Sequence, residues 1–591
     1  MTLAPAETAT QALDPDTGPP HGEPPPALGL GALAALAAVL PACGGGGAGA
    51  DPLAASADEL AGIQAVGDGS APVSPPVRPP VRLTREQASR FLSQASLGAT
   101  AQDIAQLRSV GIQAWLSAQF SAPRGASYVD LISPGGPDAD VVEGNSGGAN
   151  AVERALWRKL ITSPDVLRQR VSLALSEIFV VSIKGVALNS RGFSVAAFMD
   201  ILEGNAFGNY RDLLMQVSTS SAMGAYLSFV NNRKANPRTG SQPDENYARE
   251  VMQLFSIGLL KLNLDGTPVL VNGEPQESYT QADVLGMARV FTGWALSADR
   301  STPYTIVTQP MRQVPGNHEL GTKEFLGTTI PAGTDGVASL GLAVDALMAH
   351  PNIGPFVGRQ LIQRLVKSNP SPAYVARVAT AFNGNAQRQK GDMQATLRAV
   401  LLDSEARSVT GLSDPLHGKL REPMLRFLQW ARMVRLPPAA TGRYGLGDLS
   451  DPANALAQSP LRSPSVFNFF RPGYVQPDSE LGRRGITAPE FQITNESSVA
   501  GYLNFMQRVI AQGLAGSRPD YTDLLLLAGD SAALLAELNV LLAGGQIAAA
   551  TLVALKTALD SIDSRTAAGA LRRVQAAVTL VMAAPEYLVQ K

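Results

Sequence analysis

Leu83–Phe120 reads LTREQASRFLSQASLGATAQDIAQLRSVGIQAWLSAQF, and its punctuation decides the fold class. Thr84 followed by Gln87 spells a capping box, and Thr100 caps the run DIAQLRSVGIQAWLSAQF. The pattern continues outward. Helices are expected around Val152–Ile161, over Pro164–Val181 with Pro164 in the first turn, and over Ser339–His350, Pro355–Lys367 and Pro372–Phe382. The last of these stops at Asn383-Gly384, a C-terminal signal. From Thr522 to Gln590 the chain is Ala/Leu-rich and broken at Gly544-Gly545, which predicts a helical hairpin and a final helix. Two stretches differ. KLNLDGTPVLV, from Lys261 to Val271, sets Asp265-Gly266 between alternating apolar residues and predicts a hairpin. Ser301–Pro331 reads as extended and loop-rich. Neither a βαβ alternation nor an internal repeat is present. The expected fold is all-α (mainly α): a multi-helix globular body over 83–591, with its Ala/Leu-rich C-terminal part at 520–591, a small β-hairpin insertion and extended loops.

Residues 1–42 read as a signal-like leader. Within them, ALGLGALAALAAVLPA (27–42) is uncharged and apolar. It is short for a membrane span, which needs roughly 20 residues, and suits a signal-peptide core. Leu40-Pro41-Ala42-Cys43 resembles a bacterial lipobox, making Cys43 the expected lipidation site. The leader departs from a signal peptide in having no basic residue before Arg78, so an Ala-rich disordered leader is the alternative. Residues 43–82 are Gly-rich, then Pro-rich, with too few large apolar side chains for a core, and read as a disordered tether. The expected location is the outer membrane or periplasm as a lipoprotein, otherwise secreted, with the membrane reached through the lipid at Cys43.

The 591 residues are 45% hydrophobic and 17% charged, with formal net charge −2. Losing Glu7, Asp14, Asp16 and Glu23 with the leader moves the balance only slightly to the basic side. Without a basic stripe, no nucleic-acid partner is expected. One cysteine excludes an internal disulfide or a thiolate cluster. His318, His350 and His417 are too dispersed for a short metal-binding spacing, and neither metal nor cofactor is expected. No GxSxG elbow, kinase motif set or dinucleotide fingerprint occurs in the body.

The most distinctive residues flank the predicted hairpin: PDENYAREVMQLFSIG (Pro243–Gly258) and YTQADVLGMARVFTGW (Tyr279–Trp294). With FLSQASLGAT (Phe91–Thr100), NHELGTKEFLG (Asn317–Gly327), HPNIGPFVGRQLIQRLV (His350–Val366), KLREPMLRFL (Lys419–Leu428) and SPSVFNFFRPGY (Ser463–Tyr474), they resemble the domain of unknown function 1800 family. The likeness runs from about Leu83 to Lys591. It implies a bacterial, usually exported protein, often encoded beside another exported protein that is a possible partner; it implies no activity. Many members carry a tryptophan–histidine–x–histidine cluster, where this chain has Ser176 and Ile178.

Placed on a helix, Pro243–Ser256 has Pro243 in its first turn and Asp244 and Glu245 at the positive end of the dipole. Tyr247, Val251, Leu254 and Phe255 share the inward arc. Glu245, Asn246, Arg249, Glu250 and Gln253 fill much of the rest, with Glu245–Arg249 and Asn246–Glu250 each four apart. They read either as a solvated or pegged structural face or as a carboxylate–amide–guanidinium cluster lining a cleft. In the second case Glu245 or Glu250 is the general acid/base, provided that burial raises its pKa. Arg289 is expected to return beside these carboxylates. His318 is a catalytic-base candidate or a bonded loop histidine, with Lys323 beside it as a binding candidate. His350 reads as a helix-end cap. Arg421 and Glu422, near Lys419, are binding candidates or charges solvated or bonded locally at a helix start. Phe467, Phe469, Phe470 and Tyr474 around Arg471 form core, or a surface that stacks on sugar rings or seats a protein. The expected function is an uncharacterised envelope protein that binds a ligand or partner; the alternative is a hydrolase-like enzyme using the Glu/Arg/Asn cluster.

Overall fold

The computed structural model describes residues 82–139 and 148–591. The leader, Cys43 and nearly all of the tether lie outside them. Both capping boxes at the start form: the Thr84 hydroxyl accepts from Gln87 N and the Thr100 hydroxyl from Asp103 N, each reciprocated. The expected run after Thr100 is two helices, Ala101–Val110 and Ile112–Ser121, because Gly111 between them takes φ +79°, which only glycine adopts without strain. Phe91 then meets Trp115 edge to face at 5.4 Å, closing the first helix on the third.

The chain is mainly α-helical, with only two-stranded antiparallel sheets beside the helices among the described residues. Helices form at Ala149–Thr162, Gly336–Ala349, Ile353–Leu365 and Pro372–Asn383, close to their expected places. Pro164 does not open its helix. Asp165 occupies the cap, and the helix runs only over Val166–Ser176. The tail forms Ser531–Ala543, Ala549–Asp560 and Ala567–Ala583 as expected, and then adds a strand. Val589–Gln590 pairs antiparallel with Lys419–Leu420, a junction between distant segments. The Asp265-Gly266 turn is present, with Asn263 N donating to Thr267 O at 2.8 Å. A second hairpin, Leu270–Val271 with Glu274–Pro275, follows it. Ser301–Pro331 holds a short helix, Thr305–Thr308, and a hairpin of Lys323–Phe325 with Thr328–Ile330. No helix among the described residues is long and apolar enough to cross a membrane.

An aromatic core positions the distinctive motifs. Tyr247 stacks on Phe229 at 4.2 Å, meets Phe291 edge to face at 4.7 Å, and bonds Ser218 Oγ through its hydroxyl at 2.7 Å. Phe255 packs on Phe179 at 5.1 Å. Burying one such ring removes about 150–250 Å² from water, so this cluster anchors both the Asn246–Gln253 and Gln281–Val290 helices. Gly286 lets the second helix touch the Lys323–Phe325 strand; a Cβ there would fall 1.8 Å from the Glu324 carbonyl oxygen.

Candidate functional site

The first motif helix is shorter than its sequence pattern. It spans Asn246–Gln253 with Glu245 at the cap, and Pro243 precedes it, outside the first turn. Here Asp244 N donates to Asn232 Oδ1, while Asp244 Oδ1 accepts from Asn246 N, which holds the entry in place of a helical turn. Tyr247, Val251 and Phe255 are buried as expected; Leu254 is only half-buried. On the outer side, Arg249 Nη2 donates to Glu245 Oε2 at 3.1 Å and to Gln281 Oε1 at 3.0 Å, while Gln281 Nε2 donates to Glu245 Oε2 at 2.7 Å. This triangle closes on itself at the surface. Asn246 bonds Ser228 Oγ rather than Glu250, and Gln253 Oε1 accepts from the Tyr279 hydroxyl at 2.9 Å. Arg289 does not join them. It sits exposed at the far end of its helix and donates to Thr322 O at 3.2 Å; Gln281, at the near end, takes the expected place.

Glu250 differs from its neighbours. It is 8% exposed, its side chain accepts no hydrogen bond among the described residues, and Oε2 is buried without a partner. Burial raises its pKa, opposed only by Arg249. Its charge, after burial, also raises the Tyr226 phenol. Tyr226 lines a cleft of about 610 Å³ together with residues that include Arg462, Phe469 and Asn495. Ile183 N donates to Leu461 O at 3.0 Å and ties together the segments that carry Ser182 and Arg462. Gly185 lies under the tyrosine ring, where a Cβ would come within 2.6 Å. Ser182 lines the cleft, is buried, and has an unpartnered Oγ. Arg462 pairs with Glu153 and lies 3.6 Å from Asp448, which also holds Lys184 at 3.3 Å.

The aromatic motif divides among three tasks. Phe470 is buried under the Arg364 guanidinium at 5.2 Å, Phe467 is half-buried beneath Arg471 at 4.7 Å, and Phe469 is half-buried on the cleft. A second cleft of about 500 Å³ is lined by Arg124, Asp200, Asn205 and Gln216. These four side chains are already engaged: Arg124 pairs with Asp200 and with the neighbouring Glu203, and Asn205 Nδ2 donates to Gln216 Oε1 at 3.0 Å. Unsatisfied groups, not volume, distinguish the Tyr226 cleft.

The remaining candidates lie elsewhere. His318 is 1% exposed; its Nδ1 lies 2.9 Å from Thr292 O, and burial lowers its pKa. It is a neutral clasp between loop and helix end. Lys323 is fully buried in its hairpin, and desolvation lowers its pKa. His350 caps its helix as expected, but its Nδ1 accepts from Asn352 N at 3.1 Å instead of bonding free carbonyls. Arg421 is buried over the Tyr587 ring and donates to Tyr587 O at 2.8 Å.

Glu422 belongs to an interior ion cluster rather than to a solvated helix start. Lys419 Nζ lies 3.1 Å from Glu422 Oε1 and 3.2 Å from Glu490 Oε1, and Arg364 Nε lies 3.1 Å from Glu177 Oε2. The pairing of Lys419–Leu420 with the final strand places these charges inside. Burial, and then the Glu422 charge, push Glu177 up to about 8. Burial works against the Glu422 charge too, yet Lys419 and its neighbours hold it down to about 2. One proton therefore stays with Glu177.

Ser182, Tyr226 and Arg462 carry no local motif, whereas Ser463, Pro464 and Phe469 lie inside a stretch the sequence marks as unusual. Among the described residues, no three His, Cys, Asp or Glu side chains gather where they could hold a metal ion. Ser176 Oγ donates to Leu173 O at 2.7 Å, and Ile178 is buried in the core. No curated protein and no solved structure matches the chain. A family model described as "Protein of unknown function (DUF1800)" matches residues 90–589, and the chain belongs to that family.

Proposed function

We propose that this is an exported envelope protein, anchored by lipid at Cys43, whose helical body binds a small ligand in the Tyr226 cleft without chemistry of its own. The observation that carries the reading is the Ser182 hydroxyl, buried in the cleft wall with no partner. Leaving such a group unpaired costs about 1–3 kcal/mol, a cost that a hydrogen-bonding ligand removes. A volume of about 610 Å³ is within the usual range for small-molecule sites. An exported neighbour encoded nearby is a partner consistent with the family resemblance.

Two experiments test the two halves. Cys43→Ser should move the protein from the membrane to the soluble fraction; unchanged fractionation refutes the anchor. Ser182→Ala should fail to complement a deletion strain although its melting temperature is at or above that of the wild type, since the unpaired hydroxyl is gone; full complementation refutes the cleft. Glu250 supports a second reading, a hydrolase-like enzyme, because an unpartnered carboxyl with a raised pKa suits a general acid. Glu250→Gln separates the readings. The isosteric amide preserves ligand binding but ends proton transfer, so complementation by this variant excludes acid catalysis.

A further inference from the structure

We infer that the ligand class of the Tyr226 cleft is a neutral saccharide, an inference that rests on reading this cleft as a ligand site. The first reason is electrostatic. The cations at the cleft are matched by carboxylates: Arg462 by Glu153 and Asp448, and Lys184 by Asp448. Binding an anion would mean breaking one of these pairs, and binding a cation would mean competing with Arg462 or Lys184 for the same carboxylates. An uncharged ligand avoids both costs.

The second reason is the pairing of ring faces with hydrogen-bonding groups. Tyr226 and Phe469 are both half-buried in the lining, so each keeps part of its ring open to the cleft. Gly185, also in the lining, packs closely against the Tyr226 ring and fixes its position. A pyranose ring presents axial C–H groups that pack on an aromatic face and equatorial hydroxyls that need partners at its edge. Ser182 lines the cleft and carries an unpaired, buried Oγ, a group that such a hydroxyl would satisfy once the wall yields to it. Gln492 also lines the cleft; its Oε1 is taken by Arg471 N at 2.8 Å, which orients the amide so that its NH2 remains to donate. The volume accommodates a short oligosaccharide rather than a single small ion.

The test is titration calorimetry of the full chain with cellotriose, maltotriose and N,N′,N″-triacetylchitotriose, and with tri-galacturonate as the charged counterpart. At least one neutral trisaccharide should bind. Phe469→Ala should weaken that binding about three- to tenfold, the range set by loss of one aromatic contact. Phe469→Tyr should restore it, which separates a lost contact from a damaged fold. Binding of tri-galacturonate alone, weakened by Phe469→Ala, overturns the neutral class and leaves the cleft as a ligand site. Neutral binding that Phe469→Ala does not change places the sugar elsewhere and overturns the inference. Failure of all four probes overturns the inference, while the cleft reading beneath it stands or falls on the Ser182→Ala complementation.

Discussion

Replacing Glu177 by glutamine should flatten the dependence of stability on alkaline pH. In the folded protein Glu177 is pushed up to about 8, first by burial and then by the neighbouring Glu422 charge; in the unfolded chain it returns to its ordinary value of 4.5. Between these values the folded state holds a proton that the unfolded state has released. Stability from this group is therefore full below about pH 4.5 and is lost as pH rises through about 8. At about 1.4 kcal/mol per pH unit, tapering near the folded value, the loss between about pH 6 and 8 is roughly 2 kcal/mol. In Glu177→Gln the amide keeps the shape and a donor towards Glu422 but cannot ionise. The assay is guanidinium unfolding of both proteins at intervals across this range. The wild-type stability should fall by roughly 2 kcal/mol relative to the variant between the two ends. Parallel curves would refute the shared proton.

Three other tests address the architecture. Trp157→Ala removes a side chain that is 1% exposed and packed edge to face on Phe427 at 5.5 Å, and should cost about 3–5 kcal/mol in chemical unfolding. Gly286→Ala drives a methyl into the Glu324 carbonyl oxygen, so the helix and hairpin must part; a fall in stability of about 1–3 kcal/mol is expected, read as a lower melting temperature. Lys159 Nζ contacts both oxygens of the buried Glu203 at 2.6 and 2.7 Å. Lys159→Met should cost about 3 kcal/mol by stranding part of that charge, and adding Glu203→Gln should recover some of the loss in a double-mutant cycle.

Much of the local structure was legible in the sequence because its causes are local. The Thr84 and Thr100 caps form with the residues three places ahead of them, and Asn383-Gly384 ends its helix where it should. The inward arc of Tyr247, Val251 and Phe255 follows from helical period alone. Prolines were less reliable signals: Pro164 and Pro243 both precede their helices, because a fixed φ also suits the extended entry before a cap.

Charge pairing was not legible, because it depends on which helices meet. Glu245 and Arg249 found Gln281 where Arg289 was expected, and KLREP became part of an interior ion cluster once the last strand covered it. Glu250 stood out in sequence only as one carboxylate among several; tertiary burial alone left its Oε2 without a partner. Ser182, Tyr226 and Phe469 are far apart along the chain, so no spacing announces their cleft. By itself, the sequence determined the helices, their caps and the family, since those rest on contacts a few residues long. Only the tertiary structure decided which polar groups are buried and which remain unsatisfied, because desolvation is set by whatever distant segment packs on top.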